Sequence, residues 1–210
     1  MPNEPASTPG PLSPETFFHN NVAPQFSRRI EELRQQIRTL EQQLQDRLQA
    51  QVTVRVVVEG DGGGVWHLNT DGGEMTVSAD AVFPPLMTVY QSRAYFDWAA
   101  ATAADAGVFG PGARNSQGEL TKSRIERLKM LKGLLQFTFT HLPDGGERSF
   151  CIQLGTGERP SAPQTVLTMK AEDGQKMAHG ELTPHIAFMS GAMKVTGDLA
   201  LAMQFGAAMM

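Results

Sequence analysis

Between Gln25 and Gln51 the chain has neither Gly nor Pro, and as far as Leu44 its apolar residues fall at Phe26, Ile30, Leu33, Ile37, Leu40 and Leu44. The spacing 4-3-4-3-4 is a heptad seam, with Ile30, Ile37 and Leu44 at a and Phe26, Leu33 and Leu40 at d. Arg47 breaks the next d position, and most of the other positions are Arg, Gln and Glu, which suit a solvated helix. The pattern predicts a short coiled-coil helix over residues 25–51. The alternative is an amphipathic helix lying on its own domain, which would normally present a wider stripe. Ile at a with Leu at d favours a parallel pair, but that pairing sets Arg29 at g against Arg34 at e. An antiparallel pair centred near Leu40 and Ile37 opposes Arg34 with Glu41. Such exposed pairs are worth only ~0.2–1 kcal/mol each, so orientation stays open.

From Val52 the period changes to two. Val52, Val54, Val56 and Val58 alternate with Thr53, Arg55, Val57 and Glu59, as in a strand with one buried face. Turns at Gly60–Gly64 and Asp71-Gly72-Gly73 bound a second strand around Val65–Asn69 and a third around Met75–Ser78. Leu86–Val89 reads as a strand, Ser92–Ala101 as a helix and residues 100–118, rich in Ala, Gly and Asn, as a connection. In the second half, Thr121 is placed to cap a helix over Lys122–Lys132 that stops at Gly133. Strands follow at Leu135–Thr140, Ser149–Leu154 and Gln164–Met169, then a short helix from Ala171 to Gly180 and a terminal helix capped by Asp198. Strand, Asp-Gly-Gly turn, strand, loop, strand with Thr88 or Thr168, then helix recurs at about 80 residues, which suggests either duplicated units or one meander followed by another.

Composition refines this outline. Residues 1–24 hold six of the 13 prolines among Ser, Thr, Asn and Gly and read as a disordered tail. A net charge of −4 gives no reason to expect nucleic acid. No apolar run reaches the ~18 residues of a membrane helix. The first 30 residues lack a secretory pattern, and one cysteine excludes an intrachain disulfide framework, so a cytoplasmic location is expected. Seven of the 11 methionines lie from Met169 onward, a soft and adaptable way to fill apolar space.

Catalytic chemistry has little to stand on. His19, His67, His141, His179 and His185 show no metal-ligand spacing. Cys151 lies mid-strand with no nameable base, Ser190 lacks the flanks of a nucleophile elbow, and Gly60–Gly64 opens no helix and is followed by no Lys-Ser/Thr. Glu172, Asp173 and Glu181 read as solvated charges. No enzyme, metal or cofactor is expected. The remaining feature is the apolar C-terminal third, where Phe188, Met189, Met193, Val195, Leu199, Leu201, Met203 and Phe205 crowd together. They suit either an ordinary core or a deformable cavity.

At these residues a resemblance emerges. A basic helix leads to Gly133 and the strand of Phe137 and Phe139. Then come Phe150–Gly155, Thr165–Met169, Glu172-Asp173, Gly180–Pro184, and the most specific stretch, Ala187–Asp198, with its Leu/Ala/Met helix. Residues 119–210 resemble the sterol carrier protein 2 (SCP2) family of lipid-binding domains, and the likeness could extend from residue 52. The resemblance implies an α/β (α+β) fold, a mixed sheet covered by helices, preceded here by the coiled-coil helix. Residues 52–210 would form the domain, 52–118 as a β-rich part or partial repeat. It implies non-enzymatic binding or carrying of a sterol, fatty acid, acyl-CoA or isoprenoid in an apolar tunnel. The expected walls are Phe137, Phe139, Met169, Met177, Phe188, Met189, Met193, Leu199, Met203 and Phe205. One departure is Gly174, where the family carries a large apolar residue. Either that helix frays, or Tyr95, Phe96 or Trp98 fills the space. Expected partners are the lipid and, through residues 26–48, a second copy or a hetero-partner; transient membrane contact is compatible. The alternative function is an accessory subunit recruiting a lipid- or quinone-metabolising enzyme through its coiled coil.

Overall fold

The computed structural model describes residues 13–102 and 120–209. Residues 1–12 of the expected tail, most of the 100–118 connection and Met210 lie outside the described residues. The chain divides into two compact units, the first ending at Gln45 and the second starting at Asp46.

In the first unit helix begins well before the seam. The expected tail through residue 24 is corrected from Pro14 on: α1 (Pro14–Phe17) starts there because Ser13 caps it, its Oγ accepting from the Thr16 N–H at 3.1 Å, and Pro14 suits the first turn. A π-helical turn, Phe18–Val22, then leads into α2 (Ala23–Leu48). Pro24 offers no N–H and crowds the preceding turn, and a wide turn at that point relieves both demands. No residue of α2 is buried.

In the second unit eight strands form one mixed sheet. They are β1 (Val52–Glu59), β2 (Gly64–Asp71), β3 (Glu74–Ser78), β4 (Pro85–Ser92), β5 (Gly133–Thr140), β6 (Arg148–Leu154), β7 (Thr165–Lys170) and β8 (Met193–Gly197). Their order is β3-β2-β1-β4-β6-β5-β7-β8. The helices are α3 (Arg93–Thr102), α4 (Lys122–Lys129), α5 (Ala171–Ala178), α6 (Pro184–Met189) and α7 (Leu199–Met209). α6 was not foreseen, although Thr183 as N-cap and Pro184 behind it are a start signal. α4 stops before the expected Lys132, as Met130 and Leu131 turn back onto the Arg127 and Leu128 carbonyls.

Register explains the core. Val54 pairs with Leu68 and Met87, Met87 with Leu154, Leu135 with Ile152, and Phe137 with Phe150 and Leu167. Paired residues point the same way, so period-two alternation in eight strands builds one continuous apolar face. Ile125, Leu128, Ala187, Leu201 and Ala208 of α4, α6 and α7 are buried in the same cluster. The opposite face is polar. Thr53 Oγ1 donates to Asn69 Oδ1 at 2.6 Å, and these two atoms accept the Phe83 and Val82 N–H groups, pinning the β3–β4 connection there. Gln153 on the same face donates to the Gly157 and Glu158 carbonyls of the β6–β7 connection.

The two halves correspond, though not through Asp71-Gly72-Gly73. A hairpin, β1–β2 or β5–β6, is followed by a strand parallel to its first member, β4 or β7, and then at once by α3 or α5.

The Val195-Thr196-Gly197-Asp198 stretch is a junction. Gly197 has φ 92°, and a Cβ there would sit 2.1 Å from the Gln164 carbonyl oxygen. Asp198 N–H donates to that oxygen at 2.8 Å, Thr165 Oγ1 donates to the Asp198 carbonyl at 2.7 Å, and Asp198 Oδ1 accepts from Leu201 N–H to cap α7. Gly197→Ala is expected to destabilise the fold by at least about 3 kcal/mol, as measured by urea unfolding. Gly206, inside α7, differs: a Cβ there would meet nothing within 4 Å. Gly206→Ala is therefore expected to stabilise by about 0.8–1 kcal/mol, raising the melting temperature by a few degrees.

Candidate functional site

The apolar face of β5 and β6 carries Phe137, Phe139 and Phe150, two residues apart on one strand and across the ladder on the next. The Phe137 and Phe150 rings stack, 4.9 Å apart and inclined by 10°. Two further aromatics arrive from α3. Tyr95 lies 5.0 Å from Phe150, and Trp98 lies 5.4 Å from Phe139 and 5.6 Å from Tyr95. From the other side α7 sets Phe205 6.0 Å from Phe137. Six rings from both halves of the sheet thus share one apolar space. Aromatic pairs of this kind add ~0.5–1.5 kcal/mol each beyond their burial.

Gly174 explains why α5 can lie close over this cluster. A Cβ there would sit 2.6 Å from Phe139 Cε1. α5 is an intact helix, so of the two expectations for Gly174 the filled one applies. Phe139 takes the space, backed by Tyr95 and Trp98. Phe96 takes no part; it is exposed, with the Arg93 guanidinium 5.9 Å from its ring centroid.

Of the expected wall residues, Met169 and Met193 are buried and form a register pair between β7 and β8. Phe137, Phe139, Met177, Phe188 and Phe205 are half-buried and pack against the same cluster. Met189, Leu199 and Met203 are placed differently, exposed by 71%, 48% and 56%. The reason is helical phase. α7 turns Leu201, Ala202, Phe205 and Ala208 inward, and Leu199 and Met203 fall on its outer side; in α6 the buried residue is Ala187. Phe150, Tyr95 and Trp98 were not among the expected walls. The alternation Phe150, Ile152, Leu154 marked the first, whereas α3's approach depends on a long-range strand pairing.

Polar chemistry in the site is sparse. Burial pushes the Tyr95 phenol well above its ordinary range, so it stays neutral. Burial likewise raises the half-buried Cys151 thiol, partly opposed by the Arg159 charge, which disfavours the reactive thiolate. His67 Nδ1 lies 2.8 Å from the Ala79 carbonyl, His141 Nδ1 3.0 Å from Thr140 Oγ1, and Glu172 binds Lys176. Among the described residues no group of three or more His, Cys, Asp or Glu could hold a metal ion, and no helix is long and apolar enough to cross a membrane.

Curated relatives match a short part of the chain. Hydroxysteroid dehydrogenase-like protein 2 of Danio rerio is 44% identical over 50 residues, 24% of this chain and 12% of the relative. The protein of that name from Xenopus tropicalis is 31% identical over 86 residues, 38% of this chain and 20% of the relative. The chain therefore spans a fifth or less of the length of these relatives. Among solved structures, sterol carrier protein 2 from Yarrowia lipolytica in its apo form is 15% identical, covering 55% of this chain and 91% of that one, with a TM-score of 0.35. Sterol carrier protein 2 like 2 from Aedes aegypti is 19% identical, covering 41% and 93%, with a TM-score of 0.30. The model of the SCP-2 sterol transfer family matches residues 115–210, the segment that supplies β5–β8, α4–α7 and four of the six rings, and this segment is an SCP2-family domain.

Proposed function

We propose that the protein binds and carries a lipid, a sterol, fatty acid, acyl-CoA or isoprenoid, without covalent chemistry, in the apolar space between the sheet and α3, α5 and α7. The observation that supports this most is the ring cluster around Phe137, Phe139 and Phe205, with Trp98 of α3 and Gly174 of α5 against Phe139. Rings and the thioethers of Met169, Met177 and Met193 can change rotamer and leave room for an acyl chain. Each methylene buried there contributes ~0.8 kcal/mol, so such a site needs apolar walls more than placed polar groups. The SCP2-family match over residues 115–210 supports the same ligand class. A single free cysteine fits work in a reducing compartment such as the cytoplasm.

The second reading is an accessory subunit that serves a lipid- or quinone-metabolising enzyme. The close approach of Phe205 to Phe137 favours it, since rings in contact leave that part of the space occupied. On either reading, residues 26–48 attach the domain to a second copy or to another protein, because their apolar seam is exposed. The compact unit from Asp46 onward allows the two to be separated. If deletion of residues 1–45 preserves lipid binding and abolishes capture of a partner, carrier and recruitment roles reside in different units.

Titration with a fluorescent fatty acid is expected to give saturable binding of about one ligand per chain. Placing Trp98 beside Phe139 gives a second readout. In a Trp66→Phe background, which removes the half-exposed indole, ligand is expected to shift Trp98 emission. Phe137→Glu, which sets a charge among the rings, is expected to abolish saturation while circular dichroism stays near that of the parent. Neither saturable binding nor an emission change in the parent protein would sink the carrier reading.

A further inference from the structure

The row of apolar side chains on β6 ends in a charge. Leu154, Ile152 and Phe150 alternate onto the inner face of the sheet, and the next position in that alternation is Arg148. Its register partner across the ladder is Phe139, so the Arg148 stem and that ring leave the sheet on the same side. The Arg148 side chain is 28% exposed. Its Nη2 donates to Asp144 Oδ2 at 2.7 Å and its Nη1 to the Glu147 carbonyl at 3.0 Å. Its Nε is buried and has no acceptor among the described residues. An exposed ion pair such as Arg148–Asp144 adds little stability, whereas a buried donor without an acceptor is costly. The fold therefore holds a cation with an unsatisfied donor at the rim of an apolar face, and an acceptor arriving from that face would relieve it.

Beyond Arg148 the β5–β6 turn forms an open cleft of about 600 Å³, lined by residues 140–142 and 145–147. The guanidinium reaches it: a Cβ on Gly146 would sit 3.0 Å from Arg148 Nη1. One side chain thus connects the ring cluster with solvent. An amphiphile needs that arrangement, an apolar wall for its chain and a charged donor where the chain emerges. Resting on the carrier reading above, we infer that the lipid is an acyl chain ending in a carboxylate, laid along Phe150 and Phe139, with its head group on the Arg148 Nε–H.

A sterol or an isoprenoid alcohol offers this donor a neutral hydroxyl, and a bond to a carboxylate is the stronger of the two because both partners are charged. The outer side of the cleft disfavours a larger anion. Glu147 lines it and Asp144 already holds Nη2, so a head with several phosphates, such as that of acyl-CoA, would meet two carboxylates. A single carboxylate at the buried Nε adds the least repulsion.

Equilibrium dialysis of the full chain at neutral pH against radiolabelled laurate, dodecanol and lauroyl-CoA compares these heads on one chain length. Laurate is expected to bind more tightly than either of the others. Arg148→Met keeps an apolar stem and is expected to weaken laurate about tenfold or more while dodecanol changes by less than about twofold, a selectivity that misfolding does not imitate. Asp144→Asn removes the competing charge and keeps the Oδ1 that accepts the Gly146 N–H at 2.9 Å. It is expected to tighten laurate about threefold and leave dodecanol unchanged. Dodecanol or lauroyl-CoA binding the wild type as tightly as laurate would overturn the carboxylate assignment and leave the carrier reading standing. So would Arg148→Met weakening laurate and dodecanol alike with its circular dichroism unchanged. An Asp144→Asn chain that binds laurate no better than wild type would overturn it as well, whether or not Arg148→Met folds. Binding of none of the three also overturns the assignment, and a parallel titration with cholesterol then decides whether the carrier reading falls with it.

Discussion

The pairing of β4 with β6 is the joint on which the apolar site depends. Five register pairs, from Met87–Leu154 to Gln91–Phe150, fuse two four-stranded halves into one sheet. Since α3 follows β4 without a break, that pairing fixes where α3 can lie, and it lies over β6. Tyr95 and Trp98, residues of the first half, are thereby delivered to Phe139 and Phe150, residues of the second. Lose the β4–β6 ladder and the cluster loses two of its six rings, leaving Phe139 to fill the space over Gly174 without backing. Such long-range pairing closes late and at an entropic cost, so the site forms only once both halves have folded.

Packing and ligand chemistry are divided among different residues here. The stretch most specific to the family, around Gly197 and Asp198, does structural work. It brings the β8–α7 turn onto the Gln164 carbonyl and caps α7. α7 then aims Leu201 and Phe205 at the sheet. The aromatics and methionines proposed to meet the ligand lie in the apolar cluster that this junction supports.

Much of this was legible in the chain, for reasons that differ by element. The period of two in Val52–Val58 and in Leu135–Phe139 marked strands and their inner faces, because side-chain alternation is local. Caps at Thr121 and Asp198 were legible for the same reason. Helical phase was harder. Leu199 and Met203 look like wall residues beside Leu201, but a strongly apolar helix does not announce which side faces inward. Gly174 read as a defect in isolation, and only the ring of Phe139 shows why it suits the position. The strand order could not be read at all, since β4 and β6 lie far apart in the chain and nothing local names a partner strand.

Native mass spectrometry of the protein as purified from cells, before and after gentle delipidation, bears most directly on the central claim. The account predicts an apolar adduct of a few hundred daltons, about one per chain, that is lost on delipidation and regained on incubation with fatty acid or sterol. A chain that shows only its own mass from the outset, and takes up no lipid afterwards, would contradict it.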